Sequence, residues 1–260
     1  MVRSLYRRYR LLFDTALIVA AILCVKLVVD LLGWEFFNVN PLFTSIVGGG
    51  IFIVSIVLAG TLADYKEAER LPAEIAAAIE SIHAEGRYVR ESHAAFDLGA
   101  LGQTLTNIVS ALRVDLATPG SRTALVGVSD LSGSFLEMER FGVPPNYIVR
   151  LKQEQGIVRK SLLRLYHIQR IEFIPSAHAL LASMMILIIA LLIFTQVEPV
   201  YDSFILVAFI SYLFIYLLKL LRVIDMPFRV DDYTMDDVSL FLLREAVERM
   251  AADSRPDEGQ

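Results

Sequence analysis

The chain has 260 residues, 55% of them hydrophobic and 20% charged, with a formal net charge of −5 and a mean hydropathy of +0.55. That is too apolar for an ordinary soluble domain, and the net charge says little until its distribution along the chain is read. Cys24 is the single cysteine, which excludes a disulfide framework and a cysteine zinc site.

The first ten residues hold Arg3, Arg7, Arg8 and Arg10, and an apolar run follows from Leu11 to Leu32. A run of roughly 18 or more apolar residues is a candidate membrane span. This one is too long for a signal-peptide core, contains Asp14, Lys26 and Asp30, and lacks a following cleavage site, so a retained span is expected. Charges inside a span face protein or a cavity in most cases. Lys26 and Asp30, four apart, fit a pair on one helix face. The aspartates fit the two interfaces equally well, with Lys26 snorkelling or pairing for structure.

The link GWEFFNVNP contains no Lys or Arg and leads to a second span, Leu42 to Leu62, with three consecutive glycines, Gly48, Gly49 and Gly50, close to Phe52. Glycine weakens a helix by roughly 1 kcal/mol relative to alanine, but small residues let membrane helices approach closely. Beyond this span Leu71, Ile75, Ile79 and Ile82 recur at helical spacing, so the span is expected to continue into a helix ending near Arg90, with Pro72 as its weak point. Further helices are expected over Leu98–Asp115 and Ser121–Arg140, and over Asn146–Tyr166 after the breaker Gly142-Val143-Pro144-Pro145. The third and fourth spans run Ala177–Val197 and Phe204–Leu221, joined by QVEPVYDS, again without Lys or Arg. Thr234 with Asp237 resembles a capping box opening a last helix, Met235 to Met250, and the tail from Ala252 reads as disordered.

No strand pattern of convincing length is present, so the fold class is an all-α membrane protein. Its parts are residues 1–63 with the first two spans, a helical region 64–174, residues 175–222 with the last two spans, and a C-terminal segment 223–260. The basic residues of the N-terminus and the middle region place both, and the C-terminus, on the cytoplasmic side. Asp231, Asp232, Asp236 and Asp237 have the oxygen chemistry for a hard-cation clasp, and equally the chemistry for capping a helix. His83, His93, His167 and His178 show no ligand spacing, and no metal or other cofactor is expected. No phosphate loop, nucleophile elbow or zinc-protease motif occurs, so no catalytic residues are assigned and no enzyme is expected. Arginines interleaved with acids argue against a nucleic-acid partner.

Three segments in order, EAERLPAE at Glu67 to Glu74, RIEFIPSAH at Arg170 to His178 and IDMPFRVDDYTMDD at Ile224 to Asp237, resemble motifs of the bestrophins, and together with the four-span layout they cover most of the chain. The family pattern is not kept at Asp64-Tyr65-Lys66, Lys219, Arg222 and Arg229. The resemblance implies a homopentameric ion channel, multi-pass in a bacterial inner membrane, with permeant small ions and the lipid bilayer as its partners. Ungapped counting from the Glu-Ala match puts the family's neck residues at Gly48, Phe52 and Ile56, one helix face at four-residue steps. Rings of Phe52 and Ile56 would form an apolar constriction that gates by dewetting. The same residues also fit a lipid-facing or core surface. Counting back from Pro175 puts the family's cytoplasmic constriction at Tyr147 or Ile148. Family grounds lean towards chloride and other anions. A cation-selective channel of the same fold, and a membrane-anchored oligomeric interaction protein without conductance, stand as alternatives.

Overall fold

The computed structural model describes residues 10–118, 120–170, 175–228 and 238–253. Among these residues the chain forms eight helices: α1 Arg10–Leu32, α2 Pro41–Ser92, α3 Leu98–Ala117, α4 Thr123–Arg140, α5 Pro145–Arg170, α6 Pro175–Ile193, α7 Val200–Asp225 and α8 Phe241–Asp253. Helices α1, α2, α6 and α7 are long and apolar enough to cross a membrane. Two short strands, β1 Phe37–Asn38 and β2 Thr195–Gln196, pair in parallel. The chain divides into two compact units.

The first unit holds α1, α2 up to Tyr65, α6 and α7. Its core joins Phe43, Val47 and Val54 of α2 to Leu181, Ile188 and Leu192 of α6 and to Val207, Ile210 and Phe214 of α7. Helix α1 ends at Gly33, whose φ of 65° lets its N–H reach the Asp30 carbonyl at 3.1 Å while the Trp34 N–H reaches Val29 at 3.0 Å. A residue with a side chain would be strained in that left-handed stop. Helix α2 opens on Asn40, whose side-chain oxygen accepts the Phe43 N–H at 2.8 Å, with Pro41 at the first helical position, where no N–H is needed.

The third span is shorter than its hydropathy suggests. Helix α6 stops at Ile193, not Val197, because the following backbone turns to β1: the Phe36 and Phe37 N–H groups donate to the Phe194 carbonyl and Thr195 pairs with Phe37. The last helix also differs from expectation. Residues 238–240 are not helical, and the Val238 N–H donates to the Pro227 carbonyl at 2.9 Å. Helix α8 therefore starts at Phe241. Residues 235–237 and the tail from 254 lie outside the described residues.

The second unit holds the rest of α2 with α3, α4, α5 and α8. Helix α2 runs without a break through Pro72. Ile75, Ile79 and Ile82 of α2 pack with Leu101, Leu105 and Ile108 of α3, Leu131 and Phe135 of α4, Leu162 and Leu165 of α5, and Leu243 and Ala246 of α8. Asp115, only 2% exposed, organises the bundle. Helix α4 has no side-chain cap of its own, so its first N–H groups need another acceptor. The Asp115 carboxylate supplies it, taking the Thr123 and Ala124 N–H groups at 2.9 Å each, the Ser121 hydroxyl at 2.5 Å and the Tyr166 hydroxyl from α5. Burial raises the carboxyl's pKa, and the hydrogen bonds from Ser121, Tyr166, Ala124 and Thr123 outweigh it, leaving the group below its ordinary value. Burial and the Asp115 partner push the Tyr166 phenol well above its own.

Because the folded-state pKa of Asp115 is depressed, its stabilisation is complete above the ordinary aspartate value of about 4 and is lost as pH falls through the lower folded value. Thermal melting of the purified chain followed by circular dichroism should show Asp115→Asn costing about 2 kcal/mol at neutral pH. The gap between wild type and variant should close under acid.

Candidate functional site

Within the first unit, α2 shows one buried stripe and one open face. Phe43, Val47 and Val54 are buried, with Gly50 between them, whereas Phe52 is 66% exposed and Ile56 57% exposed. At 3.6 residues per turn Phe52 falls opposite the stripe formed by Val47, Gly50 and Val54. Gly48 lies on the same open side, and nothing comes within 4 Å of a Cβ built on Gly48 or Gly49. The face offers few free polar groups, since Ser45 and Ser55 donate to the Pro41 and Ile51 carbonyls of their own helix, each at 2.8 Å. Helix α1 likewise exposes large apolar side chains, among them Leu17, Val28 and Leu31.

The three glycines do not act together. A Cβ on Gly50 would come within 2.6 Å of Ile188 Cδ1 on α6 and 3.2 Å of Phe214 Cζ on α7. Of the three, Gly50 alone therefore lets α2 pack closely on α6 and α7, and Gly48 and Gly49 leave the open face shallow.

Lys26 is fully buried. Its ammonium holds Asp30 Oδ1 at 2.7 Å and Glu35 Oε1 at 2.5 Å, and donates to the Thr195 carbonyl at 2.8 Å. The pairing with Asp30 follows from their four-residue spacing. Glu35 was the missed partner, although it is the only acid in the link after α1. Thr195 carries no sequence signal for this role, because a backbone carbonyl has none. On the same unit, His178 Nε2 lies 3.1 Å from Asp225 Oδ2.

In the second unit, Tyr147 and Ile148 begin α5 and are half-buried against the core. The Tyr147 ring stacks on Tyr88 of α2 with centroids 5.8 Å apart, and a hydrogen bond with Tyr88 heads the causes that raise its phenol above the ordinary value. The next residue, Val149, is 56% exposed. Another feature of this unit was not foreseen. Arg164 of α5 grips Glu67 of α2 through two parallel bonds, Nε to Oε1 at 2.7 Å and Nη2 to Oε2 at 2.6 Å. Ser161 donates to Glu74 Oε2 at 3.1 Å. The acidic cluster Asp231, Asp232, Asp236 and Asp237 lies outside the described residues. Among the described residues no group of three or more His, Cys, Asp or Glu side chains could hold a metal ion.

These elements define an all-α protein in which four membrane-length helices, two in each half of the chain, accompany a bundle of shorter ones. No family model matches the sequence, and no curated protein matches it. Solved structures do. A crystal structure of a bacterial bestrophin homolog from Klebsiella pneumoniae is 15% identical, covering 94% of this chain and 97% of its own, with a TM-score of 0.75. A substituted form of that homolog gives 0.78 at 14% identity, covering 94% of this chain and 96% of its own. A crystal structure described only as that of a membrane protein gives 0.79 at 13% identity, over 93% of this chain and 97% of its own. The fold is that of the bacterial bestrophin homologues, as the three sequence segments suggested.

Two substitutions test the packing. Gly50→Ala should lower stability in detergent by about 1–3 kcal/mol through overpacking, whereas Gly48→Ala, with open space for its methyl group, should hold or raise the melting temperature. Lys26→Ala, which strands two carboxylates, should cost about 3–5 kcal/mol, and adding Asp30→Asn and Glu35→Gln should recover much of the loss.

Proposed function

We propose that the chain is one subunit of a bestrophin-like ion channel, conducting small monovalent ions passively through a path shared by five copies. The observation that carries this reading is the open face of α2. The α2 face combines Gly48 and Gly49 with the exposed Phe52 and Ile56, which suits close approach by α2 of another copy. A ring of Phe52 with a ring of Ile56 one turn further on gives a neck that repels water when narrow and passes weakly hydrated ions when wide. Gly48 makes the mouth of that neck broader. Tyr147 or Ile148 would line a second constriction, at the start of α5. The membrane is a bacterial inner membrane, with both termini on the cytoplasmic side and the two short links outside. Anions are favoured over cations on the grounds of the resemblance.

Purified chain reconstituted in planar bilayers should give discrete currents. Phe52→Ala should raise the unitary conductance by about threefold by widening and wetting the neck. A protein that stays monomeric by light scattering and carries no current is a membrane anchor, and the proposal then falls.

A further inference from the structure

On the second unit, a cleft of about 220 Å³ opens between α2 and α5, and its charged and polar lining is Glu67, Arg70, Glu74, Lys160, Ser161 and Arg164. Three cations face two carboxylates there, and the charges are not paired evenly. Both oxygens of Glu67 are taken by the Arg164 fork, the strongest arrangement a guanidinium makes with a carboxylate. Glu74 Oε2 accepts the Ser161 hydroxyl. Its other oxygen meets Arg70 Nη2 at 3.5 Å, beyond a good hydrogen bond, and the Arg70 side chain is 78% exposed. Lys160 has no ion pair or hydrogen bond among the described residues.

Glu67 is therefore fully engaged and Glu74 in part, and with three cations to two carboxylates the donors of Arg70 and Lys160 are the surplus. A cation entering this cleft meets a net positive charge and, at best, the one open oxygen of Glu74. An anion finds two charged donor groups and an uncompensated positive charge. We propose that the cleft binds a small inorganic anion of chloride size between Arg70 and Lys160, and that this site favours anions over cations during conduction. The second half rests on the channel reading. Arg70 follows Phe52 on the same helix, eighteen residues on in the sequence. A positive group near a conduction path raises the local concentration of anions, and salt screens the effect.

Two measurements on the full-length protein separate the claims. In detergent, chloride-35 nuclear magnetic resonance should show excess line width from bound, exchanging chloride. The double variant Arg70→Gln, Lys160→Gln should reduce that excess by about fivefold, Arg70→Lys should retain most of it, and inorganic phosphate should compete it away. These side chains lie on the surface, and melting curves matching wild type verify the fold. In bilayers under a sodium chloride gradient, the wild-type reversal potential should lie towards the chloride equilibrium potential, and Arg70→Glu with Lys160→Glu should move it towards sodium. Line width lost in the double variant with no current in any protein keeps the anion site and removes the channel. Currents whose reversal potential ignores both substitutions, with line width unchanged, keep the channel and overturn the anion site.

Discussion

One helix has to satisfy two solvents. Helix α2 runs from Pro41 to Ser92, apolar enough at its start to lie in a membrane and charged from Asp64 onward. In each unit it keeps a stripe that packs on its neighbours: Phe43, Val47 and Val54 in the first, Ala68, Leu71, Ile75, Ile79 and Ile82 in the second. A period of 3.6 leaves residues off the stripe exposed in each unit. In the first these include Gly48, Phe52 and Ile56, and in the second Lys66, Arg70 and Glu74.

The spans were legible because burial in lipid demands long apolar runs, and such runs cannot hide in a sequence. The bundle helices were legible to within a few residues for a similar reason, since the stripe through Leu71, Ile75, Ile79 and Ile82 admits only one period. Failures came where the deciding partner is distant. Hydropathy carried the third span to Val197, but pairing of β2 with β1 ends the helix at Ile193. The charge cleft was invisible because Glu67 and Arg164 are ninety-seven positions apart. The glycines could have been read better. Only Gly50 falls in step with Val47 and Val54, and only Gly50 meets a neighbour. Phe52 and Ile56 are exposed in the single chain, and its sequence does not encode what faces them.

Buried charge is handled in two ways. Asp115 gathers neutral donors, two backbone amides and two hydroxyls, so its charge is spread over dipoles that the fold holds in place. Lys26 gathers two full counter-charges and one carbonyl. The difference follows from the surroundings. A helix terminus already presents N–H groups to an anion, whereas an ammonium inside a span has no such ready acceptors and must recruit them from its own turn and from the links.

That recruitment bears on the order of biogenesis. The Thr195 carbonyl that completes the Lys26 shell is synthesised 169 positions after the lysine itself. When α1 first leaves the ribosome, its ammonium can reach Asp30 at once and Glu35 soon after, but the third acceptor does not yet exist. Helix α1 thus completes the polar shell of its lysine only after α6 and the turn that follows it have been made.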